Sequence, residues 1–296
     1  MQQSQHDAVI NAMRRGARPP ADQSVLLPPK RLRSNSAGSH GSVATTGDAP
    51  PPPPDPNSPF LILRVRRAHL VDDSLDALAQ QTRKSLLRPL RVIFEGEPAI
   101  DEGGVRKEFF QCLVEQLFNP DFGMFEWCEE TRVFWFSRTS RLAEAEAEFF
   151  LVGLVLGLAI YNGVILDLRL PHLLWRRLMN EPVGFMELRQ VQPDLWRGLR
   201  SLLEYDGDVE TAFMADFAIE TDFLGQTQLT ELVPGGADVP VTNANRQEYV
   251  AAYSEHLLGS SVAPQFAAFQ KGFLLLCDGI AFSFLSPLEL EELVSM

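Results

Sequence analysis

Residues 99–110, AIDEGGVRKEFF, set two acids and two glycines ahead of a mixed-charge helix start. Such a stretch can bind a phosphate, do acid–base chemistry, or simply turn the chain. The phosphate reading fails: there is no G-x-G-x-x-G and no G-K-[ST], and Asp101 and Glu102 would repel an anion. Two glycines permit a tight strand-to-helix turn. Asp101 and Glu102 stand where a helix dipole favours negative charge. The stretch reads as structure.

The other residues able to do chemistry are equally quiet. The chain has three cysteines, Cys112, Cys128 and Cys277, with no C-x-x-C pair and no ligand-spaced histidine. That pattern fits a reduced compartment and gives no zinc site. Cys112, beside Phe109, Phe110 and Leu113, and Cys277, ending GFLLLC, read as small buried apolar groups whose thiol pKa burial would raise. Cys128 adjoins Glu129 and Glu130, whose charge disfavours a thiolate. No G-x-S-x-G elbow and no H-E-x-x-H occurs. His69, His172 and His256 sit singly on helical patterns. The sequence therefore names no catalytic residue, no metal ligand and no cofactor.

Charge narrows the partners. The 296 residues carry a net charge of −13. Residues 1–59 hold six of the 26 basic and four of the 39 acidic groups, so the remainder has 20 basic and 35 acidic groups, near −15. A nucleic-acid groove would need the opposite sign; a basic protein partner is permitted. The apolar run FFLVGLVLGLAIYNGVIL, 149–166, is about as long as a bilayer requires. It contains Asn162 and several glycines, and Glu144, Glu146 and Glu148 crowd its start, so it reads as a helix buried on all sides rather than a membrane span.

Stepping along the chain, residues 1–59 form a Pro-, Ser- and Gly-rich tail that reads as disordered. Within it PPKRLRS reads first as a solvated basic patch, with a nuclear-import signal as the alternative. Order is expected from Phe60. FLILRVRR and PLRVIFEGE read as strands. A helix with Phe109, Phe110, Leu113, Val114 and Leu117 on its apolar positions ends at Asn119-Pro120. MFEW and VFWF flank CEETR as a hairpin. The buried helix spans 143–162, and PHLLWRRLMN follows with Pro171 at its first position. PDLWRGLRSLLEY is an amphipathic helix, and QLTELVPGGADVPVT a hairpin turned by Pro234-Gly235-Gly236. NANRQEYVAAYSEHLL starts a helix with Asn245 and Glu248 spaced as a capping box, and PQFAAFQKGFLLLC is another apolar-striped helix. In SPLELEELV, Ser286, Pro287 and Glu289 form a second box. The fold class is mainly α with small antiparallel β hairpins (α+β), without the alternation of a doubly wound sheet.

Two stripes remain. Leu195, Leu199 and Leu202 repeat at spacings of four and three, one helix face; Tyr249 and Tyr253 share another. They pack on each other as local core, or they line an interface whose ring hydroxyls stay wet.

VIFEGEPAIDEGGVRKEFFQCLVEQLFNPDFGMF, LVGLVLGLAIYNGVILDLRLP, LLEYDGDVE and PVTNANRQEYV occur in this order. Together they resemble the amino-terminal lobe of HECT-type ubiquitin ligases, in the branch of E6-associated protein. The resemblance covers residues 60–296. It implies a large subdomain and a small one, about 188–258, that docks a ubiquitin-conjugating enzyme by holding a protruding aromatic in an apolar groove. Aligning the LLEY and TNANRQEY blocks carries that groove onto Leu195, Leu199, Leu202, Tyr205, Phe213, Tyr249 and Tyr253. Ala215 falls where the family often has a larger apolar group. Nearby Glu204, Asp206, Asp208 and Glu210 can meet basic groups of the partner.

The family's second lobe carries the cysteine that takes ubiquitin as a thioester before passing it to a substrate lysine. Its motif, Thr-Cys followed by Phe and Asn, does not occur here, and none of the three cysteines matches it. The expectation is a truncated HECT-type ligase lacking its carboxy-terminal catalytic lobe and inactive alone in thioester formation. The alternative is a non-catalytic module that sequesters conjugating enzyme. The implied partners are a conjugating enzyme, ubiquitin and an unknown substrate protein, with no nucleic acid and no membrane, in the cytoplasm or, if the basic run is an import signal, the nucleus.

Overall fold

The computed structural model describes residues 58–97, 103–138, 142–223, 226–278, 282 and 284–295. The tail up to residue 57, with its PPKRLRS run, and Asp101 and Glu102 lie outside them.

Strand β1 (Leu61–Val65) alternates buried and exposed residues and pairs with β2 (Leu90–Phe94). Helices α1 (Leu70–Ala79) and α2 (Arg83–Leu86) intervene. Because that crossover returns the chain in its original direction, this pair is parallel, Leu61 facing Leu90 and Val65 facing Phe94. The other two sheets are antiparallel hairpins: β3 (Phe125–Cys128) with β4 (Val133–Phe136), and β5 (Ala218–Phe223) with β6 (Gln226–Glu231). Before α3 (Gly104–Leu117), Gly103 takes φ of 101°, a left-handed turn open to glycine. The expected stripe from Phe109 to Leu117 is buried.

Helix α4 (Leu142–Asn162) is the centre of the molecule. From Phe149 to Tyr161 its apolar side chains are at most 3 % exposed. It packs on α10 (Ala263–Leu274). A Cβ on Gly153 would lie 1.9 Å from the carbonyl oxygen of Phe269, and one on Gly272 2.0 Å from that of Phe150, so the two backbones touch through paired glycines. Asn162 is accommodated in the apolar run by its backbone partners: Oδ1 accepts from Leu90 N at 2.8 Å and Nδ2 donates to Leu158 O at 2.8 Å. The bilayer-length stretch is thus a core helix of this fold.

Helix α5 (His172–Leu178) starts one residue later than expected, with Pro171 as its cap. The last helix, α11 (Pro287–Val294), has the expected box: Ser286 Oγ accepts from Glu289 N and Glu289 Oε2 accepts from Ser286 N. Leu166 N donates to Val294 O at 2.8 Å, and His172 Nδ1 lies 2.8 Å from Glu291 Oε2, holding α11 against the rest.

Between these stand α6 (Phe185–Leu188), α7 (Pro193–Glu204), α8 (Val209–Phe213), the β5–β6 hairpin and α9 (Arg246–Leu258). Two expectations fail here. The hairpin reverses between Phe223 and Gln226, upstream of Pro234-Gly235-Gly236. Those glycines serve other ends: Gly235 takes φ of 72°, and a Cβ on Gly236 would come within 2.2 Å of the Phe217 carbonyl oxygen. The Asn245–Glu248 box does not form either. Asn245 spends its side chain upstream, accepting from Thr242 N at 2.7 Å and donating to Pro240 O at 3.0 Å.

These elements are tied to the rest at several points. Thr131 Oγ1 donates to Gln190 O at 2.7 Å, and Leu173 N donates to Gln190 Oε1 at 3.0 Å. Arg197 takes both oxygens of Glu130, at 2.7 and 2.9 Å. Arg177 lies 3.9 Å over the Phe266 ring and donates to Leu258 O. Burial pulls its pKa down to about 10, which leaves it charged at neutral pH.

Candidate functional site

The leucine stripe lies on α7, which opens on Pro193 with Asp194 in its first turn. Leu199 (4 % exposed) and Leu202 (3 %) face inward, while Arg197, Arg200 and Glu204 face out. At Tyr205 the chain leaves the helix with extended backbone, φ −71° and ψ 124°. Its ring meets Phe213 edge-on, 5.5 Å between centroids. Gly207 makes this possible, since a Cβ there would sit 2.7 Å from the Tyr205 ring.

The start of α9 holds this turn in place. Arg246 Nη1 donates to Tyr205 O at 2.6 Å and to Leu202 O at 3.3 Å, supplying a cation to the carbonyl end of α7. Asn243 accepts from Val209 N at 3.0 Å and donates to Gly207 O at 2.8 Å, so one side chain fixes both the α7–α8 loop and the first turn of α8. Further along α9, Tyr249 and Tyr253 meet edge-on at 5.8 Å, and Tyr249 meets Phe217 at 5.4 Å. Burial pushes the Tyr249 hydroxyl up to about 12, helped by Tyr253 and Asp216, and burial raises that of Tyr253 as well. Both remain neutral at physiological pH.

Of the seven residues carried over from the resemblance, Leu199, Leu202 and Tyr249 are buried within this chain's core. Leu195, Phe213 and Tyr253 are half-buried and pack on the same cluster. Tyr205 is 40 % exposed. Tyr205 and the partly exposed sides of Leu195, Phe213 and Tyr253 are open to solvent, whereas Leu199, Leu202 and Tyr249 are not; the ring contacts join Tyr205 to Phe213 and, separately, Tyr249 to Tyr253 and Phe217. Sequence reasoning passed over Met214, which is 83 % exposed directly after Phe213. It also passed over Trp196, half-buried on α7 and stacked on Phe185.

The surroundings are acidic. Residues 188–258 contain 12 Asp/Glu and four Arg. Three of those arginines are engaged: Arg197 with Glu130 and Asp194, Arg200 with Glu204, and Arg246 with backbone carbonyls. Asp206, Asp208, Glu210 and Asp216 are exposed around the aromatic pair.

Such a surface can bind but carries no reactive group. Cys277 is fully buried, and its thiol pKa is pushed well above the usual range by burial and by Asp278. Cys112 and Cys128 are half-buried. Among the described residues no three His, Cys, Asp or Glu side chains gather as metal ligands would. A cleft of about 530 Å³ lies elsewhere, between the β3–β4 turn and α11, with Arg132, Arg169, Leu288 and Glu291 in its walls.

Comparison with known proteins gives the geometry a context. Residues 111–295 match the family model described as HECT-domain (ubiquitin-transferase). The chain is 42 % identical over 254 residues to the probable E3 ubiquitin-protein ligase HECTD2 of Mus musculus, covering 81 % of this chain and 32 % of that protein. It is 40 % identical over 238 residues to the probable E3 ubiquitin-protein ligase HERC4 of Homo sapiens, covering 80 % of this chain and 22 % of the relative. Against the probable E3 ubiquitin-protein ligase mug30 of Schizosaccharomyces pombe the identity is 36 % over 237 residues, with 80 % and 29 % covered. The chain thus spans a third or less of the length of these relatives.

Proposed function

The chain belongs to the HECT-domain (ubiquitin-transferase) family, and from that premise we propose that residues 188–258 dock a ubiquitin-conjugating enzyme for protein ubiquitination. The carrying observation is the Tyr205–Phe213 pair, held open to solvent by Gly207, Asn243 and Arg246. Leu199, Leu202 and Tyr249 belong to the apolar core of the same elements. An aromatic of the partner would stack at the edge of Tyr205 and Phe213, while lysines or arginines around it meet Asp206, Asp208 and Glu210. Aromatic anchors supply most of the energy of such contacts, and the acids speed encounter.

In this reading the thioester step uses none of the three cysteines present. Cys277 is sealed in the core, its thiol pKa raised by burial, while Cys112 and Cys128 are half-buried on α3 and at the end of β3. These residues receive the conjugating enzyme, and the transfer chemistry belongs to a cysteine outside them. The burial of Cys277 and the absence of a Thr-Cys-Phe-Asn run in this sequence favour a second reading, in which the isolated chain occupies conjugating enzyme and competes with complete ligases.

One experiment tests both parts. The chain is incubated with activating enzyme, ubiquitin and a panel of purified conjugating enzymes, with binding followed by titration and adducts by non-reducing gel. Binding without a thiol-sensitive ubiquitin adduct is expected. Failure to bind any enzyme of the panel removes the docking reading. An adduct on Cys112, Cys128 or Cys277 removes the assignment of chemistry elsewhere.

A further inference from the structure

Among the described residues only three that are not glycine take a left-handed backbone: Arg132, Asn180 and Met214. Asparagine visits that region readily, and Arg132 sits in the β3–β4 turn. Met214 is different. It follows α8 as its C-terminal cap at φ 45° and ψ 44°, a position where glycine is the unstrained choice. A long side chain held there carries a local cost, and such costs persist where the surroundings dictate them and often where function uses them.

The surroundings do dictate it. Met214 N donates to Glu210 O at 3.1 Å, ending α8, and the next residue is fixed by Val241 N donating to Ala215 O at 2.8 Å. Between those anchors the chain has to turn. The turn sends Phe213 onto Tyr205 and sends the Met214 side chain outward, where it is the most exposed large apolar residue of the described chain at 83 %. At that exposure the side chain lies outside the hydrophobic cluster of the described residues, so burial does not account for methionine rather than glycine at this corner.

We propose that Met214 is a binding residue of the conjugating-enzyme surface, presented by the strained corner as a flexible apolar finger beside the Tyr205–Phe213 pair. The occupant is a loop of the conjugating enzyme with an apolar side chain flanked by lysine or arginine. Continuity with the aromatic pair supplies the first feature, and the exposed carboxylates of Asp208, Glu210 and Asp216 around the corner supply the second. An unbranched thioether adapts to such a side chain without a preformed pocket. The inference rests on the docking reading above and adds a specificity-determining residue to it.

Strain and binding make opposite demands, which gives the test. Met214→Gly relieves the backbone, and Met214→Leu keeps an apolar side chain on the same strained corner. Thermal denaturation and titration against the conjugating enzyme that binds the unaltered chain are measured for both. The glycine variant is expected to melt at the same or a higher temperature yet bind about tenfold more weakly, the loss of one anchor. The leucine variant is expected to bind within about threefold of the parent, since volume-conserving apolar swaps are tolerated. Undiminished binding by the glycine variant overturns the role of Met214. Absence of binding by the unaltered chain overturns the docking reading instead, so the two failures are told apart.

Discussion

Arg246, the first residue of α9, donates to the carbonyl oxygen of Tyr205 at 2.6 Å, joining positions 41 residues apart. The aromatic corner is therefore built by two elements rather than by α7 alone. Replacing Arg246 by alanine leaves two carbonyls at the end of α7 without their cation. A charged hydrogen bond of this kind contributes about 1.5–3 kcal/mol, so a fall of a few degrees in melting temperature is expected. The expected effect on docking is larger, about tenfold or more, because Tyr205 loses its anchor. Calorimetry and titration on the same sample separate the two, and equal, small effects on both would count against the anchoring role.

Tyr205 and Leu199 should behave oppositely. Tyr205 is 40 % exposed, so Tyr205→Ala should cost the fold about 1 kcal/mol or less while removing an aromatic anchor worth about 2 kcal/mol of binding. Leu199 is 4 % exposed, and Leu199→Asp places an unpaired charge in the core. Its effect is expected in circular dichroism as loss of the fold, before any statement about docking can be made. A folded Leu199→Asp chain with normal melting would show that the leucine face is open after all.

Salt should act on association. The acids around the corner are exposed, and at about 0.15 M ionic strength charges beyond about 8 Å are screened. Raising salt should slow the on-rate for a basic partner and leave the off-rate nearly unchanged. Asp206→Asn with Asp208→Asn should reproduce that change at low salt. Stopped-flow mixing reads both rates.

The buried phenol of Tyr249 sets an alkaline limit. Its pKa is raised from the ordinary 10.0 to about 12 in the folded chain. The folded state then holds the proton more tightly than the unfolded one, so the contribution is complete below pH 10 and is lost as pH rises through 12. Stability should fall over that interval, and Tyr249→Phe should flatten the fall. Denaturant midpoints taken across the range provide the measurement, and an unchanged slope in the variant would exclude Tyr249 as the source.

Paired glycines make a last expectation. A methyl on Gly153 would meet the Phe269 carbonyl oxygen at 1.9 Å, an overlap that backbone cannot relieve cheaply. Gly153→Ala should separate α4 from α10 and cost several kcal/mol. Yield and melting temperature report it, with Gly198→Ala, which has open space around it, as the neutral control.

Much of this was legible in the residues because the signals were local. The Ser286–Glu289 box, the apolar length of α4 and the leucine period of α7 each depend on neighbours a few positions away, and each folds as read. The failures share a cause. Asn245 had the right spacing for a cap, but Thr242 N and Pro240 O claimed its side chain through the fold of the preceding loop. Pro234-Gly235-Gly236 looked like a hairpin turn, whereas Gly236 is there to let the Phe217 backbone pass. The parallel pairing of β1 and β2 follows from the crossover, which strand composition does not encode. For the candidate site, the stripes revealed the faces but not their depth. Burial of Leu199 and Tyr249 depends on how α7, α9 and Phe217 meet, and the positive φ of Met214 on hydrogen bonds to both its sides.

The contact between α4 and α10 has a consequence for the chain as it is made. Helix α4 is complete at Asn162, but the helix that covers it runs from Ala263 to Leu274. At about 5–20 residues per second on the ribosome, its greasiest face waits on the order of 5–20 seconds for that cover. During this interval the nascent polypeptide carries an apolar helix whose largest packing partner is not yet made, so newly synthesised molecules should depend on chaperone holding.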